Sequence, residues 1–183
     1  YLRFDTTIID LQAADSQAVG SNFLVASNED HLVAGERYVH TMLLGPTLQL
    51  VPNTSHFISR VNFDMEVGEL IPNNAGKFFV AGTITAHSNG VSRGLFLSID
   101  PVYVSAPAKY YNAGLRGSNG LNAGAQVSGG YLGMAGALGN RTWLIRANPG
   151  GLTGCEIPDT LFPEPLDLIE TFRGIQDAPA NAP

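Results

Sequence analysis

Ala125–Ala147, AQVSGGYLGMAGALGNRTWLIRA, is the stretch of this 183-residue chain that decides its fold. Its first half places glycines around one aromatic residue, Tyr131. Its second half, Arg141–Ala147, alternates and carries the only tryptophan, Trp143. Glycines inside a strand pattern mark bulges, bends or close backbone approach, and small closed barrels need such kinks at their corners. The stretch therefore predicts a glycine-rich barrel corner leading into a strand; the alternative is a glycine-rich surface loop before an ordinary strand.

In the part of the chain before this stretch, the two-residue period of β-strands recurs. Phe57–Glu66 alternates apolar and polar side chains most clearly, as expected of a half-buried strand. Lys77–His87 and Val91–Asp100 are two more strand segments. The Asn89-Gly90 pair between them predicts a hairpin, because this dipeptide accepts the positive φ angles of a type I′ turn.

Other segments depart from this pattern. Ser27–Asp30 is polar and predicts a turn, because Asn and Asp side chains bond to their own backbone there. Ser105–Gly124 loses its periodicity and predicts a long loop. Leu166–Phe172 predicts one or two helical turns. We divide the chain into a barrel domain at 1–157 and a partly disordered C-terminal extension at 158–183.

The pattern as a whole predicts an all-β protein with about seven to nine strands and little helix. Strands do not alternate with helices, which disfavours a doubly wound parallel sheet. A single antiparallel barrel or a sandwich fits the residues. We favour the barrel, because closure removes edge strands and the glycine-rich stretch suits a corner.

The net charge of −6 limits the range of partners. An acidic chain without a cluster of Lys and Arg is not expected to bind nucleic acid or an anionic membrane surface. No apolar run approaches the length of a membrane-spanning helix. Cys155 is the only cysteine, so no disulfide can form within the chain.

Two features are consistent with secretion. The sequence starts at Tyr1 rather than at Met, and it contains two N-glycosylation sequons, at Asn53 and Asn140. They favour secretion only slightly and leave the compartment undecided, because one sequon is expected by chance in a chain with this many asparagines and a start at Tyr1 also fits a trimmed chain.

Familiar catalytic motifs are not found. Ala86–Gly90, AHSNG, is similar to the nucleophile elbow of small lipases, whose serine needs a histidine later in the chain. All four histidines precede Ser88 or adjoin it on its N-terminal side, so a hairpin turn is the better interpretation. The histidines are scattered and Cys155 stands alone, which predicts no metal site. The glycine-rich run lacks the Gly-Lys-Ser/Thr of a phosphate loop.

Within the opening stretch, Val127–Gly136, VSGGYLGMAG, resembles the late-strand motif of the allene oxide cyclase and dirigent barrel superfamily. It is most similar to the V-S-G-x-Y-L-G-x-x-G run of bacterial spirotetronate cyclases. A weaker similarity begins at Ala18-Val19-Gly20. The resemblance implies a calycin-like, eight-stranded antiparallel barrel, a cyclase or isomerase activity without a cofactor, and a homo-oligomer, either a dimer or a trimer.

A barrel of this size can hold one small ligand in an apolar interior with a few polar groups. The resemblance implies a hydrophobic natural product as substrate, folded by the barrel so that its reacting carbons meet. The candidate catalytic residues are side chains that could polarise a carbonyl: Trp143, Tyr131, His40 and Tyr38. The candidate substrate-binding residues are Phe63, Phe79, His87, Arg60 and Asp64.

Each candidate also has a structural alternative. Phe63 and Phe79 suit a plain core, Tyr131 can cover glycines, and a polar strand face such as that of Arg60 and Asp64 is usually solvated. The same pocket would serve a non-catalytic dirigent-like or lipocalin-like binding protein, and turnover would separate the two functions. A third alternative is a structural protein with a filled barrel.

Overall fold

The computed structural model describes residues 8–31, 36–73, 76–99, 109–111, 119–154 and 169–172. In these ranges the chain forms twelve strands, one short 3-10 turn at Ser128–Gly130, and no α-helix. The all-β prediction is thus confirmed. The strands are β1 Ile8–Val19, β2 Asn22–His31, β3 Glu36–Leu44, β4 His56–Ser59, β5 Phe63–Pro72, β6 Phe78–Ala86, β7 Ser92–Ile99, β8 Lys109–Tyr111, β9 Asn119–Gln126, β10 Leu132–Leu138, β11 Arg141–Ala147 and β12 Ile169–Phe172.

The strands form three antiparallel sheets. The five-stranded sheet has the order β1-β2-β3-β4-β12, the four-stranded sheet β5-β6-β7-β8, and the three-stranded sheet β11-β10-β9. No closed barrel is found among the described strands, so the single eight-stranded barrel stays a prediction.

The four-stranded sheet lies between the other two, and both of its faces are buried. Val80 and Leu95 belong to a core shared with the five-stranded sheet. Phe79, next to Val80, and Phe96, next to Leu95, belong to a second core shared with the three-stranded sheet. Successive side chains of a strand point to opposite faces. This placement explains why β6 is apolar at consecutive positions instead of alternating.

Side chains of the five-stranded sheet protect the free edge of β5. The Val67 backbone N–H donates to Asn28 Oδ1 at 2.7 Å, and the Leu70 N–H donates to Asp15 Oδ2 at 2.9 Å. An edge strand otherwise presents unpaired backbone groups to other chains. Asn28 and Asp15 therefore satisfy this edge and hold the two sheets together.

The predicted turn at Ser27–Asp30 is wrong. Residues 23–31 of β2 pair continuously with residues 36–44 of β3, and Ser27 and Glu29 are buried. Local turn propensity is weak compared with a long run of cross-strand pairs, so tertiary pairing decides the conformation here.

Three further predictions need correction. The continuous strand at Phe57–Glu66 is broken by a tight turn, in which Asn62 has a φ of 67° and the chain passes from β4 to β5 in another sheet. The long loop at Ser105–Gly124 contains β8 and the start of β9 among its described residues. Of the helical turns at Leu166–Phe172, the described part is β12, which pairs with β4. Pairing with a distant strand is a signal that local periodicity does not carry.

The opening stretch forms an antiparallel hairpin, in which β10 pairs with β11 from Leu132↔Ala147 to Leu138↔Arg141. Before it, Gly129 and Gly130 take positive φ angles of 78° and 77° in the 3-10 turn. Inside β10, a Cβ at Gly136 would overlap the Gly120 carbonyl oxygen and lie 2.6 Å from Trp143 Nε1. The glycines therefore serve a bend and a close backbone approach, two of the roles that the sequence predicts.

Gly136→Ala is expected to lower the free energy of unfolding by about 1–3 kcal/mol, because the new methyl group meets a backbone that cannot move freely. Urea denaturation followed by tryptophan fluorescence measures the change. The matched control is Gly133→Ala on the same strand, where the nearest atom, Val127 Cγ1, is 3.4 Å away; we expect a change below about 0.5 kcal/mol there. Equal losses in both variants would contradict the close-approach explanation.

Candidate functional site

His40 and Tyr38 lie two residues apart on β3, so their side chains share a face of the five-stranded sheet. His40 is fully buried; its Nε2 lies 2.9 Å from Ser55 Oγ, and its ring stacks on Phe57 with centroids 4.1 Å apart. The Tyr38 hydroxyl donates to Glu36 Oε2 at 3.2 Å. This face points away from the four-stranded sheet, because Val39 between them lies in the shared core.

Asp64 and His87 come together at the beginning of β5. His87 Nε2 lies 2.9 Å from Asp64 Oδ1, which also accepts a hydrogen bond from the Arg37 backbone N–H at 2.8 Å. Both side chains are about one-third exposed. The Arg37 side chain pairs with Asp30 and Glu66. Its hydrogen bond with Asp30 raises the pKa of the Arg37 guanidinium further above its usual range. The group forms a surface ionic network between two sheets.

Of the other substrate-binding candidates, Arg60 and Phe63 contact each other and Phe79 lies in a separate core. The Arg60 guanidinium lies over the Phe63 ring, 4.9 Å from its centroid, at the turn between β4 and β5. Phe79 stacks on Phe96 with centroids 4.9 Å apart inside the second core. Phe79 is therefore a core residue in this fold, as its structural alternative predicted.

Trp143 and Tyr131 belong to the three-stranded sheet and its preceding turn. Trp143 Nε1 donates to the Gly120 carbonyl oxygen at 3.1 Å, and its ring packs against the second core. Tyr131 is 40% exposed, and the Arg146 guanidinium lies 4.2 Å from its ring centroid. Both aromatic side chains therefore already have partners within the fold.

The four predicted catalytic residues thus divide between two sheets that the four-stranded sheet separates. His40 and Tyr38 are on β3 of the five-stranded sheet. Trp143 lies in the β10–β11 hairpin, and Tyr131 directly precedes it. Glu29 and Ser55, which the sequence analysis missed, lie beside His40. Glu29 falls within the wrongly predicted turn, and its position on the same face as His40 follows from the pairing of Ser27 with His40 and of Glu29 with Tyr38.

Two adjoining grooves run over the outer face of the three-stranded sheet. The first has a volume of about 460 Å³ and is lined by small and apolar residues with one carboxylate. The second has a volume of about 410 Å³ and has a more polar lining towards the β10–β11 turn. The two grooves share Ala123 and Ala135. Leu144 in the first groove is 80% exposed, which is unusual for a large apolar side chain on a strand.

The described ranges contain no group of three or more His, Cys, Asp or Glu side chains arranged to hold a metal ion. The same ranges include no helix with the length and apolar character needed to cross a membrane.

Trp143→Phe is expected to lower the free energy of unfolding by about 1–3 kcal/mol, because the smaller phenyl ring loses both the hydrogen bond to the Gly120 carbonyl and part of the packing of the indole. Trp143→Ala should cost about 3–5 kcal/mol, because the ring leaves a cavity as well. Urea denaturation followed by circular dichroism measures both. A Trp143→Phe variant as stable as the original chain would show that the hydrogen bond contributes nothing.

No protein-family model matches this chain, and a search of curated proteins gives no match.

Proposed function

We propose that this protein binds a small molecule with an apolar body and a polar end on the outer face of the three-stranded sheet. The observation that carries the proposal is the pair of adjoining grooves there, with the exposed Leu144 in the first of them. Binding of a small molecule is required by both functions inferred from the sequence, the cyclase and the non-catalytic binding protein.

The first groove suits the apolar body of the ligand. Ala123, Ala125 and Ala135 contribute small side chains to its lining, and Leu144 contributes the large exposed apolar side chain. Its volume of about 460 Å³ is within the range of small-molecule sites. Burying a leucine side chain contributes roughly 1.5–3 kcal/mol, so covering Leu144 is a substantial part of the binding free energy.

The second groove suits the polar end. Its lining includes Asn140, Arg141 and Thr142 at the β10–β11 turn. The Glu69 carboxylate lines the first groove, where its Oε2 accepts a hydrogen bond from the Gly124 N–H at 2.6 Å. A carboxylate repels an anion while a guanidinium attracts one. An anionic head group is therefore directed towards Arg141 and away from Glu69.

A cofactor-independent cyclase is the second candidate. The resemblance to spirotetronate cyclases favours it, since Gly133 and Met134 of the resembling motif line the first groove. The resemblance that implies a cyclase also implies the closed eight-stranded barrel and a homo-oligomer, so both are part of this second proposal. A cyclase would convert a linear precursor, whereas a binding protein would release its ligand unchanged.

The first test is binding of the neutral apolar dye Nile red, whose fluorescence rises in apolar surroundings. We expect Leu144→Asp to weaken dye binding at least about tenfold, because a lost apolar contact of about 1.4 kcal/mol corresponds to that factor. The matched control is Leu48→Asp, since Leu48 is also exposed, at 58%, and lies outside both grooves. Equal affinity in the Leu144→Asp variant and the original chain would contradict the proposal.

Native mass spectrometry of protein from its own source then identifies the natural ligand and, in the same spectrum, the oligomeric mass. A bound amphipathic molecule supports the proposal. Incubation of the protein with that molecule's linear precursor separates the two candidates: a cyclic product supports the cyclase, and unchanged precursor supports the binding protein.

A further inference from the structure

Three polar side chains form a buried line across the five-stranded sheet. They are Glu29 on β2, His40 on β3 and Ser55 immediately before β4. Ser55 Oγ lies 2.9 Å from His40 Nε2, and Glu29 Oε2 lies 4.0 Å from His40 Nδ1 on the other side of the ring. All three residues are at most 1% exposed. We infer that Ser55, His40 and Glu29 form a nucleophile, base and carboxylate array that can transfer an acyl group.

The strand register explains how the array forms. His40 on β3 is paired with Ser27 on one side and Phe57 on the other. Glu29 and Ser55 are each two residues from those partners, so both lie diagonally across from His40 on the same face. The array therefore depends on the pairing of β2, β3 and β4, and no short sequence motif contains it.

The geometry meets the requirements for an activated serine. A hydroxyl becomes a useful nucleophile when an adjacent base accepts its proton, and a third group orients that base. The separation of 2.9 Å is within hydrogen-bonding reach. The 4.0 Å gap to Glu29 is longer than a hydrogen bond, but the carboxylate is close enough to stabilise the imidazolium as it forms. Phe57, with its ring tilted only 8° from that of His40, holds the imidazole in plane.

The acyl donor that suits this site is a small ester. Ser55 Oγ bonds to the ester carbonyl carbon while its proton passes to His40 Nε2. The bond from that carbon to the alcohol oxygen breaks, and the alcohol takes the proton from Nε2. Water then attacks the acyl carbon and gives a proton to Nε2, which returns it to Ser55 Oγ as the carboxylic acid leaves.

The proposed route for a reagent to reach Ser55 is the turn that precedes it. Pro52 and Asn53 of this turn are exposed, and Asn53 has a φ of 60°, whereas Ser55 is 1% exposed. Ser55 therefore reacts only in the small fraction of molecules whose turn is open. We expect slow, selective labelling, at a rate that still depends on proton transfer to His40.

The test is covalent labelling of the full chain with a small fluorophosphonate, followed by peptide mapping. We expect one adduct, on Ser55, and none on exposed serines such as Ser88. His40→Gln should slow labelling roughly 100-fold or more, the usual effect of losing a general base. Glu29→Gln should slow it less, since Glu29 acts through His40. Ser88→Ala and Leu144→Asp should label like the original chain, because neither residue belongs to the array.

Absence of an adduct on Ser55 after prolonged incubation of the original chain overturns the inference, and this outcome requires no variant to fold. Labelling of Ser55 at the original rate in a folded His40→Gln variant also overturns it, because the serine would then react without its base. Either failure leaves the groove proposal unaffected, since the groove lies on a different sheet.

Discussion

The structure depends on a sheet that is buried on both faces. Strands β5, β6 and β7 of the four-stranded sheet each contribute side chains to two cores, so neighbouring side chains such as Phe78 and Phe79 are both shielded from water, on opposite sides. Charged residues are costly at such positions, which agrees with a chain that is only 14% charged. The hydrophobic effect over two cores is thus the main source of stability in a protein whose single cysteine excludes an internal disulfide.

Close approach of neighbouring strands explains two of the glycines. At Gly136 a side chain would overlap the Gly120 carbonyl of the paired strand β9, and at Gly82 it would overlap the Glu66 carbonyl of the paired strand β5. Both positions lie beside shifts in strand register. Where backbones come this close, only glycine fits. The grooves on the three-stranded sheet depend on a separate set of small residues, including Ala123, Ala125 and Ala135.

The two proposed sites lie on opposite outer faces of the layered fold. The grooves use the three-stranded sheet, and the line of Glu29, His40 and Ser55 uses the five-stranded sheet. The four-stranded sheet between them is filled with apolar side chains, so no polar path among the described residues joins the two sites. A substitution in one site therefore does not touch the residues of the other site.

Residue patterns alone predicted the all-β class, the hairpin around Asn89-Gly90 and the special role of the glycines near Tyr131, because these depend on local periodicity and backbone freedom. The layering of sheets, the strand through Ser27–Asp30 and the pairing of β12 with β4 were decided by contacts between distant segments. His40 was a candidate from the sequence. Its neighbours Glu29 and Ser55 were missed, because contacts between distant segments bring them to it. Their proximity is a property of strand register, which only the tertiary structure determines.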